Sequence, residues 1–207
     1  MDRLLAEVKA LFAGVAEAAA FMDAWPAGGQ RREVGEGVLP VCEELGRLKP
    51  AAGAAPVWEA LRAARGLSWR QTYGAAEMGE AFLRGYGWAE FIGLRGPVPS
   101  ETIACGVLLL GPGVTYPAHA HAAEEVYLPI AGAAEWMRAE EGFAARELGR
   151  AIHHPSWVPH GMRTGAEGVA ALYLWRGGDL AAKSVFVRDE ARPRRFGPGS
   201  NRSGGAI

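Results

Sequence analysis

The chain has 207 residues, 49% hydrophobic and 22% charged, with 22 basic against 23 acidic side chains. That balance excludes a disordered or fibrous protein, and it leaves no electrostatic basis for nucleic acid or an anionic membrane as partner. Cys42 and Cys105 stand far apart, which excludes a disulfide framework and a thiolate metal cluster and predicts free thiols in a reducing compartment. Asp2, Glu7, Lys9, Glu17 and Asp23 interrupt any signal-peptide core, and no apolar run approaches the ~20 residues that span a bilayer. The expectation is a cytoplasmic protein with no membrane partner.

Leu4, Leu5, Val8, Leu11, Phe12 and Val15 recur at helical spacing, and the breakers from Pro26 to Gly29 predict that this helix ends there. Shorter helices are expected at about 37–48, 56–65 and 76–84. A helix-turn-helix over 66–91 is set aside because the charge balance is neutral. From about residue 88 the pattern changes to short strands, at 90–94, 103–110, 125–130, 134–138, 151–154 and 169–175, with glycine and proline between them. Such punctuation predicts an antiparallel sandwich or barrel. The organisation expected is a helical region over 1–87, a barrel over 88–187, and a flexible Arg/Gly-rich tail over 188–207.

All five histidines fall between His119 and His160. His119 and His121 are two apart, so in a strand both project from one face; Glu125 and Tyr127 repeat the spacing, and His160 comes from another strand. Imidazoles and a carboxylate converging inside a small barrel suit one divalent first-row metal. His153 and His154 are adjacent and face opposite ways, so at most one looks inward.

Gly113, His119, His121, Glu125 and Gly132 match the first cupin motif, Gly-x5-His-x-His-x3-Glu-x6-Gly. Gly149, Pro155 and His160 match the second, with Trp157 in place of its inner Gly and Thr164 in place of its terminal Asn. The segments Gln71-Thr-Tyr73, Tyr86-Gly-Trp88, Tyr116-Pro, His121 to Tyr127, Gly132 to Trp136, and Trp175 before Gly178-Asp179 resemble the bacterial cupin-type dimethylsulfoniopropionate lyases over about residues 65–186. The resemblance implies an α+β, mainly β chain, with an N-terminal helical region packed on a C-terminal double-stranded β-helix barrel. It implies cleavage of dimethylsulfoniopropionate to dimethyl sulfide and acrylate on one divalent transition metal (Fe, Mn, Zn, Co or Ni). Carried over by position, His121, Glu125, His160 and Tyr127 hold the metal and Tyr116 is the base. His119 is either a further ligand or a substrate-facing group.

The chemistry accounts for these residue types. The proton to be removed lies beside a carboxylate, so a cation on that carboxylate stabilises the enolate-like transition state. With no lysine in the motif region, the bases on offer are Tyr116, Tyr127, Glu124 and the histidines. A phenol titrates near 10 unperturbed, and a nearby dication lowers that. The sulfonium is a soft cation that aromatic faces recognise, which nominates Trp175, Tyr173 and Trp157. The same ligands would also serve a cupin dioxygenase, an isomerase or a non-catalytic ligand-binding cupin. Strand or helix contacts could support an oligomer.

Overall fold

The structure is a computed structural model that describes residues 1–187; the expected tail from 188 lies outside the described residues. Helix α1 (Asp2–Ala13) turns Leu4, Leu5, Val8 and Phe12 inward. It stops at Gly14 and the extended Val15, well short of Pro26, and two short turns, Ala16–Ala18 and α2 (Ala19–Met22), carry the chain on. A 3-10 turn opened by Pro40 leads into α3 (Glu44–Arg47). Helix α4 (Ala55–Ala63) carries Pro56 in its first turn, where a missing N–H costs nothing, and packs Val57, Trp58, Ala60 and Leu61 toward α1. Helix α5 (Ala75–Arg84) is capped by the Glu77 carboxylate accepting from the Gly74 N–H and kinks at Gly79. No helix among the described residues is long and apolar enough to cross a membrane.

Among the described residues there are twelve strands, six of them at the segments expected from the punctuation: β1 (Trp69–Arg70), β2 (Tyr86–Gly93), β3 (Val98–Pro99), β4 (Ile103–Leu110), β5 (Thr115–Ala120), β6 (Glu124–Gly132), β7 (Glu135–Arg138), β8 (Ala144–Ala145), β9 (Ile152–His154), β10 (His160–Arg163), β11 (Val169–Arg176) and β12 (Val185–Phe186). One sheet runs β1-β2-β4-β11-β6-β9, with β3 added in parallel on β2; the other runs β12-β5-β10-β7-β8. All other pairs are antiparallel. The sheets close on each other as the two halves of a cupin barrel. β1 and β2 show that the helical half also supplies barrel strands, because Trp69 pairs with Ala89 and Arg70 with Trp88.

Alternation along the larger sheet decides where the core and the cavity lie. Phe91, Cys105, Val107, Leu109, Val126, Leu128, Leu172 and Leu174 pack with α1 and α4 in one cluster. Their neighbours Ala104, Leu108, Leu110, Tyr127, Ala171 and Tyr173 turn into the barrel in a second cluster. This explains why β4 is apolar throughout: both of its faces are covered. Each fully buried Leu, Val or Phe contributes about 1.5–3 kcal/mol, so the helices stay docked on the outer face and leave the inner face to the site. Gly132 shows how tightly the far end is closed, since its φ is +78° and a Cβ there would lie 2.0 Å from the Gly168 carbonyl oxygen.

Candidate active site

The small sheet carries two of the histidines directly opposite each other, His119 on β5 and His160 on β10. His121 sits just past the end of β5, in the turn that leads to β6, and Glu125 is on β6. All four are buried, and nitrogen atoms of the three histidines lie within 4.8 Å of one another. The local chain explains their orientation. Nδ1 of His119 meets the Pro117 carbonyl, that of His121 the Ala123 carbonyl and that of His160 the Val158 carbonyl, each at 2.8 Å. A carbonyl only accepts, so each Nδ1 carries the proton and each Nε2 presents a lone pair to the centre.

Glu125 Oε2 lies 3.2 Å from His121 Nε2 and 3.1 Å from His160 Nε2. The buried His160 Nε2 makes no hydrogen bond. In the tautomers that the backbone dictates, lone pairs on nitrogen face lone pairs on oxygen, and a cation between them resolves the conflict. His119, His121, His160 and Glu125 therefore fit a divalent transition metal on donor chemistry and tautomer alike. Burial, with His160 next, pushes the His119 imidazolium down to about 3, so the ring stays neutral as a ligand must. Burial acts against His121 too, but the Glu125 carboxylate outweighs it and leaves this histidine raised. Glu125 is itself held well below the usual carboxylate range, because the two histidines overcome its burial.

Alternation sorts the remaining candidates. Tyr127, two residues beyond Glu125 and on the same face, lines the cavity with it; Glu124 points out, where its carboxylate takes N–H groups from His153 at 2.7 Å and Arg176 at 2.6 Å. His154 is the inward member of its pair, stacked 4.2 Å from the His160 ring with neither nitrogen bonded. Tyr116 stacks on His119 at 4.1 Å and 14°, and its hydroxyl shares a 2.8 Å hydrogen bond with Tyr73. Burial drives the phenols of Tyr116, Tyr127 and Tyr173 well above their ordinary value, with neighbouring tyrosines or acids adding to it.

Trp175 stands opposite Glu125 across the strand pair, and its indole N–H donates to Glu125 Oε1 at 2.5 Å. The residue expected as a sulfonium wall thus also holds the Glu125 carboxylate. Tyr173 lines the cavity beside it. Trp157 does not join them: it is 58% exposed, lies outside the cavity lining and has φ +62°, the left-handed conformation for which the motif carries Gly. Thr164, standing in for Asn, donates to the Gly111 carbonyl at 2.6 Å and accepts the Val114 N–H at 2.9 Å, so a hydroxyl ties these loops.

The cavity beside the centre has a volume of about 630 Å³ and is lined by Tyr116, His119, Glu125, Tyr127, Tyr173 and Trp175. Its farther wall holds Trp88, Glu90, Arg95 and residues 180–184. Glu90 was not indicated by spacing; it is buried and accepts the Gly96 N–H at 2.8 Å, with Arg95 beside it.

Fold and site together define a cupin-type barrel with a buried three-histidine, one-glutamate centre. The family model for dimethylsulfoniopropionate lyases matches residues 17–170, and the chain belongs to that family. It is 40% identical over 124 residues to the dimethylsulfoniopropionate lyase DddQ of Ruegeria pomeroyi, a match that covers 59% of this chain and 60% of that protein. The crystal structure of DddQ from Ruegeria pomeroyi superposes with a TM-score of 0.78 at 30% identity, over 92% of this chain and 98% of that one. A chain from the crystal structures of the DMSP lyases RdDddP and RnDddQII superposes with a TM-score of 0.82 at 29% identity, over 90% and 97%.

Proposed function

We propose that this protein cleaves dimethylsulfoniopropionate to dimethyl sulfide and acrylate by base-assisted β-elimination. One observation carries the reading: a phenol, Tyr116, is stacked on a histidine of the centre and faces the same cavity as Glu125 and Trp175. His119, His121, His160 and Glu125 would hold one divalent transition metal, with Tyr127 beside the carboxylate. A cation held there would supply positive charge next to the substrate carboxylate and ease deprotonation of a nearby phenol.

The protein's own groups do the rest. Tyr116 Oη takes a proton from the carbon beside the substrate carboxylate; that C–H electron pair becomes the C=C bond of acrylate, and the C–S bond breaks toward sulfur. The leaving group is a neutral sulfide and needs no acid. The faces of Tyr173 and Trp175 receive the sulfonium, each such contact being worth about 0.5–2 kcal/mol without a counter-charge. Trp175 meanwhile keeps Glu125 turned toward the three histidines. The test is purified protein with substrate and each of Mn, Fe, Co, Ni and Zn, scored for headspace sulfide and for acrylate. Release of both in equal amounts is expected, and none with any metal refutes the proposal. Oxygen uptake dependent on ferrous iron would assign the site to a dioxygenase instead.

A further inference from the structure

Among the described residues the cavity lining holds two carboxylates, Glu90 and Glu125. Glu125 is turned to His121, His160 and Trp175, whereas Glu90 has no part in the centre. Glu90 is 7% exposed, and its strand explains why it faces in. Ala89 and Phe91 pack in the outer cluster, and Trp88 and Glu90 alternate with them toward the cavity. An ionised carboxylate kept from water calls for a partner of opposite charge. Glu90 lacks a resident one. Its Oε1 accepts the backbone N–H groups of Arg95 and Gly96, and its Oε2 accepts none among the described residues. The two neighbouring guanidiniums are directed to carbonyls: Arg32 to Gly93 and Gly96, at 2.9 and 2.6 Å, and Arg95 to Leu180 and Ala181, at 3.4 and 3.1 Å. Burial raises the Glu90 carboxyl, and the two N–H groups, then Arg95 and Arg32, act against it.

The sheet sets this carboxylate next to the aromatic wall. Tyr127, Tyr173, Gly106 and Glu90 stand in one row across four adjacent strands, β6, β11, β4 and β2. Gly106 is the gap in that row. A Cβ there would lie 2.5 Å from Tyr173 Oη and 2.2 Å from the Ala89 carbonyl oxygen, so the Tyr173 phenol lies over the bare strand. Directly opposed residues on antiparallel neighbours hold their Cβ positions about 4.5–5.5 Å apart, which puts Glu90 just beyond the phenol tip. Glu90 is accordingly the foremost charge acting on the Tyr173 hydroxyl, second only to burial in raising it.

We propose that Glu90 is the counter-charge for the cationic end of the substrate, so that the cavity selects a short carboxylate bearing a sulfonium or quaternary ammonium over its uncharged isostere. The sulfonium lies on the face of Tyr173 with Glu90 past the ring edge. The substrate carboxylate, repelled by Glu90, is directed to the end of the cavity that holds His119 and Glu125. One anion thus decides which end of the zwitterion meets the centre. This inference deepens the lyase proposal and rests on it for the identity of the substrate.

The experiment is titration calorimetry of metal-loaded protein with two unreactive compounds of one shape, 3-(trimethylammonio)propanoate and 4,4-dimethylpentanoate, which differ only in the charge at the far end. Glu90→Gln keeps an oxygen for the Arg95 and Gly96 N–H groups, and thermal melting and metal content check the fold. Wild type should bind the ammonium compound about tenfold more tightly than the uncharged one, the order expected of one charge at close range in a partly screened cavity. Glu90→Gln should abolish that preference by weakening the ammonium compound alone, and should raise KM for dimethylsulfoniopropionate by a similar factor. A preference that survives the substitution overturns the proposal. So does equal weakening of both compounds, which would make Glu90 a support for the turn at 93–96 only. Absence of any preference in wild type overturns it without recourse to the variant. Neither compound reacts, so the outcome is independent of turnover: wild type that forms no acrylate strikes the lyase proposal, while a cation preference lost in Glu90→Gln still upholds the counter-charge.

Discussion

Replacing Trp175 by Phe tests whether the indole serves the centre or only the substrate. Its N–H donates to Glu125 Oε1 at 2.5 Å, and its ring lies 4.3 Å from that of His121, tilted by 33°. Phenylalanine retains an aromatic face and has no donor. Glu125 is 0% exposed, so the indole N–H holds a carboxylate that bulk water does not reach. A hydrogen bond to a charged group contributes about 1.5–3 kcal/mol. If that loss falls on the carboxylate's ability to hold a metal, affinity drops by about 10- to 100-fold, the usual penalty for removing a partner that orients a ligand. Chelator competition on the purified variant measures this directly, with KM determined at saturating metal. Unchanged metal affinity with a raised KM would refute the argument and leave Trp175 as a sulfonium wall alone.

Other expectations follow from the same geometry. Tyr116→Phe should retain metal while turnover falls by about 10²–10⁴-fold, the span of a general base, read from acrylate release and metal analysis of one sample. Trp157→Gly should be at least as stable as wild type in thermal melts and leave KM unchanged. A left-handed non-glycine residue costs about 1–2 kcal/mol, which offsets the about 0.5–1 kcal/mol of added glycine entropy; a raised KM would return Trp157 to the substrate's path. In the metal-free protein, burial, with His160 next, pushes His154 down to about 3, whereas the unfolded chain titrates near 6.5. Between those values the unfolded state holds a proton the native state lacks. Stability should therefore fall as pH drops from 6.5 toward 3, by up to about 1.4 kcal/mol per pH unit for this group. Urea melts of His154→Phe should show a slope shallower by that amount, and an unchanged slope would contradict the assignment.

The parts of the site legible in the sequence are those whose partners are close in the chain. His119, His121 and Glu125 fall within seven residues, on β5, the turn after it and the start of β6, and His160 matched by motif; the structure brings all four together. Strands for His119 and His160 were expected from the histidine spacing but without bounds, because Pro117 and Gly161 interrupt the alternation that marks a strand. The first helix was read too long for the opposite reason: apolar spacing continues past Gly14 although the backbone does not. Tyr73 appears in sequence as one aromatic before a helix, and nothing in its spacing announces a hydroxyl partner on β5. Trp157 was misplaced because its residue type argues for a pocket, while the φ demanded there decides that it sits outside.

The four candidate ligands are shared between the halves of the barrel, with His119 and His160 on the five-stranded sheet, Glu125 on the seven-stranded one, and His121 in the link between them. An ion gripped by all four would rivet one sheet to the other beside the cavity. Folding and loading then become one equilibrium: free metal at a hundredfold its dissociation constant would add about 2.7 kcal/mol to the native state. Scarcity of the ion would loosen the container as well as silence the chemistry.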